Sequence, residues 1–282
     1  MIKRFSPAKV NLHLTVFGKR PDGYHDIATL MQQIGLYDEL TFSLQEQGIA
    51  LACPGSPLPE DDNNIVYRAA EAFLAHISYT GGVAITLRKN IPLAAGLGGG
   101  SSNAATTLIA LNEMTGGCCA RVELLEIGRK LGADVPFFIY GPRAWALGVG
   151  DRLQEADPLP PLWFVLVNPG FPVSTKMVYE KLNLGLTKEK INYSIPRFRI
   201  GSPSGPAEGL KNDLEAVTLH LYPLLQQIKK LLLSCGALGA LMSGSGPTVF
   251  GIFATEKRAQ EAKERLARGG ADDWMIYVAR SL

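Results

Sequence analysis

The spacing of apolar and polar side chains predicts a chain that mixes strands and helices. Residues 9–18 alternate between apolar and polar side chains, which is typical of a half-buried strand. Residues 63–77 carry apolar side chains at helical spacing, and Asn63 or Asn64 can cap the start of that helix. Residues 121–132 form a second amphipathic pattern of the same kind.

The second half of the chain continues this mixture. A strongly apolar strand at 162–169 predicts the start of a second domain, so we expect domains at 1–158 and 159–282. Residues 194–209 are rich in proline, glycine and serine, which predicts an exposed loop, and residues 212–237 read as largely helical. Because strands and helices do not alternate strictly, the pattern favours an α+β fold.

Composition narrows the class of protein. The 282 residues are 46% hydrophobic and 19% charged with a net charge of +2, which is too small to indicate a nucleic-acid surface. The N-terminal residues lack the apolar core of a signal peptide, and no apolar run reaches transmembrane length, so we expect a cytoplasmic protein without membrane contact. The four cysteines form no CxxC pair, which argues against a disulfide framework or a zinc site, and we expect no protein-bound metal site.

The stretch PLAAGLGGGSSNAATTLIAL at 92–111 is the strongest candidate for chemistry. Its glycines let backbone N–H groups converge, and the alanine-rich run after them predicts a helix whose N-terminus adds unpaired donors and a positive dipole end. Together they predict a phosphate site. Ser101 and Ser102 can cap the helix, and their hydroxyls can also reach phosphate or a metal-bound oxygen. The alternative is a tight strand-to-helix turn without a ligand.

The common phosphate-binding motifs are absent. No lysine follows the glycines as a Walker sequence requires, and Ser101 stands where a dinucleotide motif would need its third glycine. The protein-kinase HRD and DFG signatures are missing as well. The sequence therefore indicates some other class of nucleotide-binding loop.

Four segments, in order along the chain, resemble the GHMP kinase family. PLAAGLGGGSSNAA is similar to the second motif of that family, and LMSGSGPTVFGIF to its third. SPAKVNLHLTVFGKRPDGYHDIATLMQQI and LGADVPFFI resemble one branch, whose members phosphorylate the 2-hydroxyl of 4-(cytidine 5'-diphospho)-2-C-methyl-D-erythritol in the non-mevalonate route to isoprenoid precursors. The matches extend from residue 6 to residue 253.

The resemblance implies a fold and an activity. It implies an N-terminal α+β domain that binds ATP and a C-terminal ferredoxin-like domain, with the active site in the cleft between them. It implies ATP as the phosphoryl donor, with Mg²⁺ held mainly through the phosphates, and the cytidine diphosphate-linked methylerythritol as the small-molecule acceptor. A GHMP kinase for another alcohol, such as homoserine or mevalonate, is the nearest alternative, and a nucleotide-binding protein without catalysis is a more distant one.

The same resemblance implies two catalytic residues. Asp134 matches the aspartate that orients or deprotonates the acceptor hydroxyl, and Lys9 matches the lysine that pairs with it and offers charge to the phosphoryl group. Without the motifs, Asp134 would read as a helix N-cap and Lys9 as a surface lysine on an edge strand.

The remaining candidate residues are expected to contact ATP or the phosphoryl acceptor. Asn11 lies two residues after Lys9 and therefore on the same strand face. The resemblance assigns a cytosine site to Tyr24 and His25 of the DGYHD segment and, on a poorer local match, to Tyr179. Asn11 is expected to contact the diol or the diphosphate, and Gly244 and Ser245 the phosphates or the acceptor. The ATP candidates are Asn64, Val66, Lys89, Pro92, Leu93, Ala94, Ala95, Gly96, Leu97, Gly98, Gly99, Gly100, Ser101, Ser102 and Asn103. Asn103 occupies a position where many relatives carry aspartate, so it weakens any role of that side chain in holding the metal.

Overall fold

The computed structural model describes residues 1–182, 199–202, 205–269 and 273–282. The chain divides into two compact units, each assembled from several segments. The first unit comprises Met1–Ala8, Leu36–Ile91 and Gly98–Pro142, and the second comprises Lys9–Gly35, Pro92–Leu97 and Arg143–Leu282.

Two long strands contribute residues to both units. Strand β1 spans Ile2–Lys19 and strand β2 spans His25–Gln45, and the two are hydrogen-bonded neighbours. In the first unit, β2 pairs antiparallel with β4 (Gly82–Arg88), in a register that places Glu39 opposite Arg88. Strand β3 (Ile49–Ala52) then pairs parallel with β4.

Four helices complete the first unit. They are α1 (Ile65–His76), α2 (Gly99–Met114), α3 (Arg121–Leu131) and α4 (Val135–Tyr140). Helix α2 packs against the other three, and alanines at 104, 105 and 110 are fully or almost fully buried. Small side chains let the helices approach closely, which explains why an alanine-rich run forms a buried helix here.

The second unit contains part of the sheet built on β1 and β2, and a separate four-stranded sheet. Strand β5 (Arg143–Gly148) pairs antiparallel with β2 and with β6 (Arg152–Gln154), while β10 (Lys211–Asn212) pairs parallel with β1. A four-stranded antiparallel sheet has the order β11-β12-β7-β13. Its strands are β7 (Trp163–Asn168), β11 (Gly239–Met242), β12 (Val249–Phe253) and β13 (Met275–Arg280).

Helices pack on these strands to form the core of the second unit. Helices α7 (Pro223–Ser234) and α8 (Glu256–Gly269) bury Leu225, Ile228, Leu232, Ala259 and Ala262 among the side chains of β7 and β12. The described residues of this unit also form α5 (Thr175–Lys181) and α6 (Glu215–Leu221).

The apolar pattern predicted most elements correctly and one segment wrongly. The strands predicted near 9–18 and 162–169 and the helices predicted at 63–77 and 121–132 are present. The predicted loop at 194–209 is wrong where the structure describes it, because β8 (Arg199–Ser202) and β9 (Gly205–Glu208) form an antiparallel hairpin. Residues 194–198 and 203–204 lie outside the described residues. Hairpin strands need backbone pairing rather than apolar side chains, so the composition concealed them.

No helix in the described part of the chain is both long and apolar enough to span a bilayer.

Acidification is expected to weaken the second unit through His13, a buried residue of β1. Its Nδ1 lies 2.7 Å from the Gly209 carbonyl oxygen and its Nε2 lies 2.9 Å from Thr15 Oγ1. Burial lowers the pKa of His13, and together with the charge of Lys211 it outweighs the opposing effects of the Gly209 hydrogen bond and of Asp213. The unfolded chain therefore binds more protons below pH 6.5, the ordinary His pKa, and the free energy of unfolding should fall as the pH drops through that value.

This dependence can be measured by urea denaturation at pH 7.0 and pH 5.5. His13→Gln should show a smaller difference between the two pH values than the parent. His220→Gln, at an exposed position of α6, is the matched control and should keep the parental difference. An undiminished difference in His13→Gln would contradict the assignment.

Candidate active site

Lys9 and Asn11 form a buried polar pair on β1 in the second unit. Lys9 is 4% exposed and Asn11 is 3% exposed. Lys9 Nζ donates to Asn11 Oδ1 at 2.6 Å, and Asn11 Nδ2 donates to Thr29 Oγ1 at 2.8 Å. The prediction that these two residues share a strand face is confirmed, and the alternative interpretation of Lys9 as a surface lysine is wrong. A buried ammonium group is uncommon and marks a position where a positive charge has a use.

The glycine segment at 92–97 contacts the turn at 243–246 within the second unit. Ser243 Oγ donates to the Gly96 carbonyl oxygen at 2.9 Å. Gly96 has a φ of +75°, and a Cβ atom at this position would lie 2.1 Å from the Ser243 carbonyl oxygen. A Cβ on Gly244 would lie 3.4 Å from both Asn11 Oδ1 and the Gly96 carbonyl oxygen. The contact thus requires glycine at 96 for lack of space, whereas at 244 a Cβ would fit and the left-handed φ of +55° is what favours glycine.

Hydrogen bonds from neighbouring elements hold the turn at 243–246 in place. Ser245 Oγ lies 2.8 Å from Thr175 Oγ1 at the start of α5. Asn212 Nδ2 donates to the carbonyl oxygens of Met242 and Gly244, at 2.8 and 2.7 Å. The turn is therefore fixed by side chains from β10 and α5, beyond what its glycines alone could do.

The predicted cytosine residues are only partly brought together. The His25 and Tyr179 rings have centroids 4.9 Å apart with an interplanar angle of 33°. Tyr24, by contrast, is 64% exposed. Partial burial lowers the pKa of His25, and Lys19 lowers it further, which favours a neutral imidazole. A neutral imidazole offers one hydrogen-bond donor and one acceptor, as reading the polar edge of a base requires.

The start of α2, in the first unit, has the backbone form of an anion site. Gly98 is the N-cap residue with a φ of +70°, and no side chain caps the helix. The first turn carries no acidic residue. Its backbone N–H groups and the positive end of the helix dipole are thus available to an anion.

The prediction that Ser101 and Ser102 cap this helix is wrong. Helix α2 begins at Gly99, so both serines lie inside its first turn. Ser102 is fully buried, and its Oγ accepts a hydrogen bond from Ser6 Oγ at 2.7 Å. The N-cap residue Gly98 has no side-chain oxygen, so the N–H groups at the start of α2 receive no side-chain cap.

Asp134 stands immediately before α4, in the first unit. It occupies the N-cap position, but its side chain makes no capping hydrogen bond to the helix. Pro136 lies in the first turn and lacks an N–H group, so one of the usual capping donors is missing. The alternative interpretation of Asp134 as a side-chain cap is therefore wrong, and a catalytic role stays a prediction.

The predicted adenine-side residues hold the start of α1. Asn64 Oδ1 accepts a hydrogen bond from Val66 N at 2.9 Å, which confirms Asn64 as the cap. Asn64 Nδ2 donates to the Pro59 carbonyl oxygen at 2.8 Å. Both ends of this amide are engaged by the protein, and contact of Asn64 and Val66 with the nucleotide stays a prediction.

Asp38, near the glycine segment, was not predicted from the sequence. Asp38 on β2 is fully buried and forms an ion pair with Lys89, whose side chain is 8% exposed. Asn103 Nδ2 also donates to Asp38, at 2.9 Å. The signal was present in the strand pattern, because alternation places Asp38 on the same inward face as Leu40 and Phe42. Ser243, Thr175 and Thr29 gave no comparable signal.

A second polar cluster in the first unit unites His76, Cys119 and Glu123. Their ligand-type atoms all lie within 4.8 Å of one another. Glu123 Oε2 accepts a hydrogen bond from Ala120 N at 2.7 Å, and Oε1 lies 3.3 Å from His76 Nε2. Burial raises the pKa of Cys119 to about 11, so this thiol stays protonated at neutral pH. The hydrogen bonds account for the arrangement as a cap for α3.

Two family profiles match the chain. The profile of the GHMP kinases N terminal domain matches residues 64–142, and that of the GHMP kinases C terminal matches residues 195–272. The first range contains the start of α2 and Asp134, and the second contains the turn at Gly244 and Ser245.

Individual proteins are similar over the full length. A 4-diphosphocytidyl-2-C-methyl-D-erythritol kinase of Syntrophus aciditrophicus is 60% identical over 100% of both chains. A crystal structure of a 4-(cytidine 5'-diphospho)-2C-methyl-D-erythritol kinase is 35% identical, with a TM-score of 0.81 over 99% of each chain. A homoserine kinase from Cytophaga hutchinsonii is 22% identical, with a TM-score of 0.72 over 100% of this chain and 94% of that one, which indicates a shared fold.

Proposed function

We propose that this chain, which belongs to the GHMP kinase family, phosphorylates the 2-hydroxyl of 4-(cytidine 5'-diphospho)-2-C-methyl-D-erythritol. The chain is an ATP-dependent kinase of a small molecule. The observation that carries the choice of acceptor is the identity of 60%, along the whole chain, to a relative that bears the name of this kinase. The reaction yields ADP and the 2-phosphate, and it serves the formation of isoprenoid precursors by the non-mevalonate route.

The start of α2 supports phosphate binding. Phosphoryl transfer depends on positioning and charge neutralisation more than on covalent chemistry. The N-terminus of α2 offers backbone donors without a competing acidic side chain. We assign the triphosphate to residues 92–103, with Lys89 as a nearby positive charge and Asn64 and Val66 on the adenine side.

Lys9 and Asp134 are the catalytic residues of this proposal. Asp134 orients the acceptor hydroxyl and receives its proton, while the Lys9 ammonium stabilises negative charge on the transferred group. The burial of Lys9 supports this role, since a low-dielectric surrounding strengthens the action of its charge.

The acceptor contacts the remaining candidates. We assign the cytosine to Tyr24, His25 and Tyr179, where an aromatic ring can stack on the base and the imidazole can read its polar edge. Asn11 contacts the diol or the diphosphate, and Gly244 and Ser245 approach the phosphates or the acceptor.

Three further assignments complete the proposal. Mg²⁺ enters with ATP and is held mainly through the phosphate oxygens, because Asn103 brings no negative charge to the start of α2. The family's N-terminal and C-terminal domains correspond to residues 1–158 and 159–282. The protein acts in the cytoplasm.

Acceptor specificity tests the proposal directly. The protein is incubated with ATP, Mg²⁺ and one acceptor at a time, and ADP release is followed by a coupled assay. We expect turnover with the cytidine-linked methylerythritol and none with homoserine or mevalonate, and phosphorus NMR should locate the new phosphate on the 2-oxygen. Turnover of homoserine or mevalonate in the absence of turnover of the cytidine-linked compound would refute the assignment.

A further inference from the structure

We propose that Asp38 is a positioning residue that holds the ATP phosphate site at the start of α2 in its binding geometry. The inference rests on the proposed function, because it takes this helix start as the phosphate site. Asp38 itself lies on β2 and is fully buried, so it acts through the backbone it holds rather than through contact with ATP.

The Asp38 carboxylate joins the chain before the glycine segment to the helix after it. Oδ1 accepts hydrogen bonds from the backbone N–H groups of Asn90 and Ile91, at 2.7 and 2.9 Å. Oδ2 accepts from Asn103 Nδ2 at 2.9 Å and contacts Lys89 Nζ. One side chain thus fixes both segments that flank the glycines, and only an ionised carboxylate has enough acceptor sites for all four donors.

The positive charge of Lys89 explains why the side chain at position 38 is an anion. Lys89 Nζ lies against the helix start, 3.1 Å from the place where a Cβ on Gly99 would be. The helix N-terminus is itself the positive end of a dipole, so an uncompensated ammonium here would be repelled. Asp38 neutralises the ammonium and lets Lys89 stay packed beneath the first turn. A buried ion pair of this kind needs further hydrogen bonds to offset desolvation, and the contacts above provide them.

Asn103 extends the arrangement into the first turn of α2. Its Nδ2 also donates to Ser6 Oγ at 2.9 Å, and its Oδ1 accepts from Lys89 Nζ at 3.2 Å. Ser6 Oγ in turn donates to Ser102 Oγ at 2.7 Å. Both ends of the Asn103 amide are therefore used in holding the turn, and a carboxylate at 103 would face Asp38 without a proton to donate.

The test measures nucleotide affinity in Asp38→Asn with fluorescent ATP and with ADP by calorimetry, at a temperature where the variant is fully folded. We expect the dissociation constant for ATP to rise about ten- to a hundredfold, since misplacing a binding group by about 1 Å has effects of that size. The KM for the acceptor should stay within about twofold of the parental value, measured at saturating ATP. Glu39→Gln is the matched control, because it removes the neighbouring carboxylate of β2, which pairs with Lys3 at 2.8 Å.

If Asp38→Asn only lowers the thermal midpoint and binds ATP as the parent does, the residue is merely structural and the inference fails. If the parent itself does not bind ATP, the proposed function fails instead. Should Asp38→Asn not fold, Asp38→Glu provides the second variant, because it keeps the charge but displaces the carboxylate oxygens: it must weaken ATP binding while Glu39→Gln does not, and parental affinity in Asp38→Glu overturns the inference.

Discussion

Replacing Asp134 by asparagine is expected to lower kcat about a thousandfold while the dissociation constant for ATP changes by less than about twofold. Asparagine preserves the shape of the side chain but can neither accept the hydroxyl proton nor supply a negative charge. Since the Asp134 side chain does not cap α4, the helix should form as before. Single-turnover kinetics at saturating ATP and acceptor separates the chemical step from binding and is the appropriate measurement.

The control for this variant is Glu126→Gln. Glu126 is an exposed carboxylate on α3, a helix that packs against α4, so the substitution removes the same charge from the same unit. It should leave kcat unchanged. A parental kcat in Asp134→Asn would remove Asp134 from the mechanism, whatever the result for Glu126→Gln.

Gly96→Ala is expected to lower kcat/KM by a hundredfold or more, through two separate physical effects. A Cβ would lie 2.1 Å from the Ser243 carbonyl oxygen, which no real contact permits, so the backbone must shift. Misplacement of about 1 Å is enough to cause a loss of that size. The φ of +75° adds about 1–2 kcal/mol of strain for any residue with a side chain. Steady-state kinetics with ATP varied and urea denaturation measure the two effects.

Gly48→Ala distinguishes the effect of backbone strain from that of steric overlap. Gly48 also has a φ of +75°, but nothing lies within 4 Å of a Cβ placed on it. It should therefore lose about 1–2 kcal/mol of unfolding free energy and keep its kinetic constants. Equal losses of kcat/KM in the two variants would show that the contact of Gly96 with Ser243 has no part in activity.

The apolar pattern predicted the elements well because burial of one face leaves a period in the sequence. The inward residues of β2 and the helical spacing in α1 are of this kind. The glycines of the 92–103 segment predicted a helix start correctly, but not which residue caps it. The φ of Gly98 decides that, and a φ value is a property of the folded backbone.

Most polar contacts of the site could not be predicted from the sequence. Ser243 and Gly96 are far apart in the chain, and their contact depends on how the second unit folds. Thr29 and Thr175 resemble any other threonine in the sequence. Asp38 was the exception, because a charged residue at an inward position of a strand is costly unless it is paired, and that cost could have been recognised.

Strand β1 restricts where this chain can change in length. Ser6, which serves the first unit, and Lys9 and Asn11, which serve the second, lie on one uninterrupted strand. Side chains alternate along a strand, so inserting or deleting a single residue between Ser6 and Lys9 would turn every later side chain to the opposite face. Related sequences should therefore keep this part of β1 at a constant length.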